Sequence, residues 1–293
     1  MSISKYKAFL KVAELGSLTK AADALGYSQP NISHMIKTLE DEFGFALFFR
    51  RKDKCTLTKN AESILYYCMQ IVKNDEELHA NIRGIHGMLT GSIRIGATNS
   101  TMIDFVPKAI YCFASQYTGI ELLPSEMEAE AIINDLRLGK IDIGFLDEDS
   151  VPGELKSNFI PLFKDPICLL IPQGHPLAGY ERVPMEMLGA YDFILPTIPS
   201  SNETSAYADL LSGIDLNVKY KSASDLAIFG MVENNLGISI TSKELSKYLR
   251  CKVESREFED AIFRTQGALI ISLNHATPAV KEFINISKTV EIE

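Results

Sequence analysis

Two short amphipathic segments meeting at a glycine dominate the first sixty residues. In Ser28–Glu40, Ile32, Ile36 and Leu39 fall on one face, with Ser28 placed as an N-cap and Pro30 in the first turn. Asn31, Ser33, His34 and Lys37 point away from that face. Just upstream, Leu18, Ala21, Ala22 and Leu25 form a second short helix with small residues where another helix must approach, and Gly26 supplies the tight turn. The pair reads as a helix-turn-helix. In that motif the second helix enters the DNA major groove, which suits an outer face of Gln, Asn, Ser, His and Lys. The alternative is a plain helical hairpin packed into a larger core.

Two features favour the DNA reading. Phe48-Phe49-Arg50-Arg51-Lys52-Asp53-Lys54-Cys55-Thr56-Leu57-Thr58 forms a basic two-arm loop able to lie along a phosphate backbone as a wing. Residues 1 to 60 carry ten Lys or Arg against six Asp or Glu, a net of +4, whereas the whole chain is at −9 and the remainder therefore at −13. A basic head on an acidic body reverses what the total charge would suggest about nucleic acid.

The run from Ser17 to Thr58 resembles the winged helix-turn-helix of LysR-type transcriptional regulators. Ser17, Ala21, Ala22, Leu25, Ser28, Gln29, Ile32, Ser33, Ile36, Leu39, Glu40, Gly44, Leu47, Phe48 and Arg50 stand where that family's pattern wants them. His34 departs from it, taking a place where the family often has Arg, and a neutral imidazole is a weaker phosphate ligand. Ala61 takes the place of a common Gly. The resemblance implies a regulator that binds double-stranded DNA and is switched by a small molecule. Ser28, Gln29, Pro30, Asn31, Ser33, His34 and Lys37 on the recognition helix, with Arg50, Arg51, Lys52 and Lys54 in the wing, are then the DNA-binding candidates.

Ile3–Leu15 reads as a bracing first helix ended by Gly16. From Asn60 to Met88 the chain lacks Pro and reaches Gly only at Gly84, which allows one long helix. Ile64, Cys68, Ile71, Asp75, Leu78, Ile82, Ile85 and Leu89 step along it by threes and fours, the spacing of a coiled-coil seam. A helix lying on its own domain is the other reading. The family uses this region as a linker helix pairing two subunits, which implies a homodimer and, as is usual in the family, a tetramer.

After Leu89-Thr90-Gly91 the pattern turns to short apolar runs alternating with helical segments, an α/β arrangement with mostly parallel strands. Helices are expected at Ile103–Ser115, Ala129–Leu138, Thr204–Leu211, Asp225–Glu233 and Pro278–Ser287. The resemblance implies a two-subdomain effector domain like a periplasmic binding protein. The expected division is a DNA-binding domain at 1–59, a linker at 60–89 and an effector domain at 90–293, with one subdomain at 92–162 and 268–293 and the other at 163–267.

Ligands of open α/β folds sit beyond the carboxyl ends of strands, near helix N-termini. Thr98, Asn99, Ser100 and Thr101 occupy such a place after the first effector strand, although Ser100 or Thr101 could simply cap a helix. Thr197, Ile198, Ser200, Ser201 and Asn202 occupy the corresponding place after the strand at Phe193–Leu195. Glu128 and Ala129 stand where many relatives with carboxylate effectors place a small Gly-Ser or Gly-Thr pair, so the usual anion cradle is not expected and a cationic or neutral effector is open; alternatively the acids Glu126 and Glu128 merely face solvent.

An enzyme with an appended DNA-binding head finds little support. The five His lack metal-ligand spacing, and there is no G-x-S-x-G, no phosphate loop and no G-x-G-x-x-G, so no cofactor is implied. The five Cys contain no C-x-x-C pair, no apolar run matches a signal peptide or a membrane span, and a cytosolic protein is expected. A solute-binding transport component would lack both its export signal and a use for the basic head.

Overall fold

The computed structural model describes residues 2–51, 54–85, 91–198, 201–205, 207, 210–248 and 252–292. The chain opens with α1 (Ile3–Leu15), α2 (Leu18–Leu25) and α3 (Gln29–Phe43), followed by the antiparallel strands β1 (Phe48–Arg51) and β2 (Lys54–Leu57). Ser17 caps α2 by accepting the Lys20 N–H at 3.4 Å. Gly26 ends α2 at φ 70°, a left-handed conformation in which a side chain is strained. Phe9, Val12, Ala21, Ile32, Ile36, Leu39 and Leu47 are fully buried together, which holds α3 against α1 and α2. Each large apolar side chain removed from water here stabilises the head by about 1.5–3 kcal/mol. The Glu40 carboxylate reaches across to accept the Leu47 N–H at 2.8 Å, fixing the approach to β1.

The long helix α4 (Lys59–Ile85) follows, with Thr58 accepting the Ala61 N–H at 3.2 Å at its start. Its apolar residues divide into two groups. Ala61 and Cys68 are buried, and Ile64, Leu65 and Val72 pack beside them in the core of the head. Ile71, Leu78 and Ile82 stay exposed. The seam expected from spacing is thus split: Ile64 and Cys68 serve the chain's own head, and Asp75 lies 3.9 Å from Lys7 and 3.6 Å from His79. The Leu89 end of the expected helix lies outside the described residues. On its other side α4 touches the C-terminal half, where Gln70 donates to the Arg137 carbonyl at 3.2 Å.

That half contains β3 (Gly91–Ala97), α5 (Asn99–Met102), α6 (Phe105–Ala114), β4 (Ile120–Glu126), α7 (Ala129–Leu138), β5 (Ile143–Asp147), β6 (Phe159–Pro172), β7 (Arg182–Val183), β8 (Asp192–Ile198) and β9 (Ser201–Ser205). It continues with β10 (Asn217–Ser222), α8 (Asp225–Glu233), β11 (Ser239–Ser242), α9 (Lys243–Tyr248), β12 (Val253–Phe258), β13 (Phe263–Leu269) and α10 (Pro278–Ser287). The main sheet runs β4-β3-β5-β13-β6-β12-β7, with β11 also on β6, and a smaller one runs β10-β8-β9. The fourteen-residue β6 joins two layered units. Its first half pairs with β13, and its second with β11 and β12. Ile93, Ile95, Phe105, Phe113, Phe145 and Phe283 fill one core, while Leu169, Ile171, Phe193, Ile238, Ile240 and Phe258 fill another.

Two expectations are corrected. The sheet is mixed rather than mostly parallel, because β6 and β13 cross between the units and pair antiparallel with each other and with their neighbours. An apolar run shows that a strand is buried without showing its direction. The helix expected at Thr204–Leu211 does not begin at Thr204: among the described residues Thr204 and Ser205 belong to β9, which pairs antiparallel with β8 through Thr197↔Ser205 and Ile198↔Ser201, and a single turn follows in which the Leu211 N–H donates to the Tyr207 carbonyl at 3.0 Å. Thr and Ser are weak helix formers, and the sheet ladder overrides the remaining preference.

Candidate recognition helix and inter-subdomain cleft

On α3 the buried Ile32, Ile36 and Leu39 leave the opposite face to solvent. Ser28, Gln29, Pro30, Asn31, His34 and Lys37 are exposed and Ser33 is half-buried. Ser28 stands at the N-cap with extended backbone (φ −76°, ψ 148°), yet its side chain makes no capping hydrogen bond. Pro30 costs nothing in the first turn, where its missing N–H has no helical acceptor. The result is a helix N-terminus that presents polar groups and backbone N–H donors outward, the geometry required for a groove. In the wing, Lys54 is exposed at the start of β2, opposite Arg51, and Arg50 pairs with Cys55. Lys52 lies outside the described residues.

The C-terminal half encloses a cavity of about 190 Å³ between its two units. Thr98, Asn99, Ser100, Glu128, Ala129 and Thr197 all line it. Thr101 turns the other way: it is buried, and its hydroxyl donates to the Thr98 carbonyl at 2.9 Å, closing the turn of α5. Ile198 ends β8, while Ser201 and Asn202 lie on β9. Ser200 is outside the described residues.

Across the cavity Asn99 donates to the Asp225 carboxylate at 2.8 Å, tying α5 to the start of α8. Asp147 accepts from the Ser150 N–H (3.0 Å) and hydroxyl (2.9 Å). Arg264, on β13, lies 3.7 Å from the fully buried Asp165 and has its guanidinium 5.1 Å from the centre of the Tyr207 ring. Burial pushes the Tyr207 hydroxyl up to about 12 despite the nearby guanidinium. Burial also raises the Asp225 carboxyl, against the Asn99 hydrogen bond and the field of Arg264; at Glu128 burial is joined by repulsion from Asp225 and Glu126.

Sequence reasoning missed Asp147, Tyr207, Asp225 and Arg264. Asp225 carried a legible signal, since Ser224 before it is a helix cap and its hydroxyl accepts the Ala227 N–H. Arg264 carried none. It is one basic residue in a polar strand segment, and only the pairing of β13 with β6 brings it beside Asp165.

Comparison with known proteins separates the same two parts. Residues 3–62 match the bacterial regulatory helix-turn-helix protein model of the lysR family, and residues 86–290 match the LysR substrate binding domain. A relative in Bacillus subtilis (strain 168), the uncharacterized HTH-type transcriptional regulator YvbU, is 29% identical over 98% of both chains. The structure of a full-length OxyR variant from Pseudomonas aeruginosa superposes with a TM-score of 0.75 at 22% identity, covering 99% of each chain. Full-length CbnR, solved in complex with its target DNA, gives 0.70 at 15% identity over 99% of each. Among the described residues no helix is long and apolar enough to cross a membrane.

Proposed function

The chain belongs to the lysR family of bacterial transcriptional regulators, and from that premise we propose how its residues divide the work of binding DNA and answering a small molecule. Gln29, Asn31, Ser33 and His34 read base edges or adjoining backbone in the major groove, with Ser28 and Pro30 setting the entry of α3. Lys37, Arg50, Arg51, Lys52 and Lys54 supply the salt-dependent attraction to phosphates. The single observation that carries this reading is the exposed polar face of α3 over its buried Ile32, Ile36 and Leu39.

Residues 1–59 act as the DNA-binding domain, 60–89 as the linker and 90–293 as the effector domain, with subdomains at 92–162 plus 268–293 and at 163–267. The effector enters the cleft lined by Thr98, Asn99, Ser100, Glu128, Ala129 and Thr197. Thr101 closes the turn of α5 that carries Asn99 and Ser100, and Ile198, Ser201 and Asn202 lie on the two strands that continue from Thr197. Two copies pair through the exposed side of α4, and pairs of dimers form a tetramer. An effector bound more tightly in one arrangement of the subdomains shifts the molecule toward it, and with it the spacing of the paired heads on DNA. The chain works by binding, without turning over its ligand, as suits relatives named as regulators.

Selection of sheared genomic DNA by the purified full-length protein tests the reading. Recovered fragments should share a two-fold related motif, each half about one helical turn from the other. Recovery of fragments without a common motif would contradict it.

A further inference from the structure

The cleft is charged in one direction. Glu128, Asp147 and Asp225 line it from both units, while Arg264 is its sole basic lining residue among the described residues. That guanidinium already faces Asp165, itself 1% exposed, so its charge is matched from behind the cavity. Ser150 satisfies Asp147 locally. Asp225 feels Arg264 only as a more distant charge, and its own charge raises the cost of ionising Glu128.

A second observation points to a ligand. Thr197 is 5% exposed and lines the same cavity, and its hydroxyl has no hydrogen-bond partner among the described residues; neither does the buried Nε of Arg264. Two buried donors left unmatched at the wall of this cavity cost stability until something accepts from them. Unmatched donors beside carboxylates suit a ligand that carries both a positive charge and an acceptor atom, as an organic cation does and a bare metal ion does not, and no three His, Cys, Asp or Glu side chains among the described residues are grouped to hold a metal ion.

We infer that the cleft takes a small organic cation, an amine- or guanidine-bearing molecule whose charge sits between Glu128 and Asp225 and whose acceptor oxygen or nitrogen receives hydrogen bonds from Thr197 and Arg264. The inference rests on the effector reading of the cleft and adds the chemical class. Asn99, already bonded to Asp225, positions one of the two carboxylates. Asp147 adds to the field without direct contact.

Thermal unfolding of the full-length protein tests it, with agmatine, putrescine and L-arginine in one arm and succinate, citrate and benzoate in the other, at matched ionic strength. At least one cation should raise Tm saturably by about 2 °C or more, and the rise should vanish in Glu128→Gln and Asp225→Asn. The ligand-free Glu128→Gln protein should unfold at the same temperature as the parent or higher, because a repulsion is removed. Saturable stabilisation by an anion that survives Glu128→Gln, no saturable response in either arm, or a lower ligand-free Tm for Glu128→Gln would each overturn the inference. Sequence-selective DNA binding by the same preparations separates that outcome from a failure of the regulator reading.

Discussion

The Glu40 carboxylate accepts the Leu47 N–H from the chain leaving α3, so a charged residue on a helix acts as the strut of the wing. Glu40→Ala leaves that N–H without its acceptor at a half-buried site, and the head should lose about 1–3 kcal/mol, read as a lower denaturant midpoint. Glu40→Gln keeps an acceptor oxygen and should recover most of the loss. Cys168 behaves differently. It is 1% exposed, and burial pushes its thiol up to about 12. The folded state therefore holds the proton after the unfolded chain has released it. The resulting stability is complete below the ordinary thiol value near 9.0 and falls as pH rises from there toward 12, by up to about 1.4 kcal/mol per pH unit. Alkaline unfolding curves should flatten over this window in Cys168→Ala. Neither role is visible in spacing alone, because each depends on what the fold brings alongside.

At the scale of elements, α3 was legible because its information is local: a cap, an early Pro and an apolar stripe at helical spacing. The register of α4 was only half legible. Heptad spacing cannot distinguish a partner subunit from the chain's own head, and burial of Ile64 and Cys68 in the head leaves Ile71, Leu78 and Ile82 as the outward apolar residues. A double Leu78→Glu/Ile82→Glu protein should keep its helical circular dichroism but sediment as a smaller species, with its dimer dissociation constant raised at least about tenfold. Unchanged sedimentation would move the pairing surface elsewhere. The strand β9 was illegible for a different reason, since polar Thr204 and Ser205 gain their structure from the ladder with β8 rather than from any pattern of their own.

For the whole molecule, the separation of charge is legible in the sequence alone: a head at +4 and a remainder at −13. Such a molecule can be drawn to DNA at one end while the rest is held off it. The cleft was readable only in outline. Thr98, Asn99, Ser100, Glu128 and Ala129 follow strand ends, Thr197 lies one residue before the end of β8, and all six could be named from the fold class. Asp225 and Arg264 join them only through the folded chain, as when Asn99 meets Asp225 across 126 residues of sequence. The proposed reading of DNA sequence by the exposed face of α3 is open to a fluorescence-anisotropy titration. The full-length protein would be titrated onto the duplex upstream of its own gene and onto an unrelated duplex, at about 50 and 200 mM salt, beside Gln29→Ala. Binding should be selective and weaken steeply with salt, and Gln29→Ala should lose selectivity worth about 1–3 kcal/mol with little change in the salt slope. Equal binding of genomic and unrelated duplexes throughout, unaltered by Gln29→Ala, would contradict it.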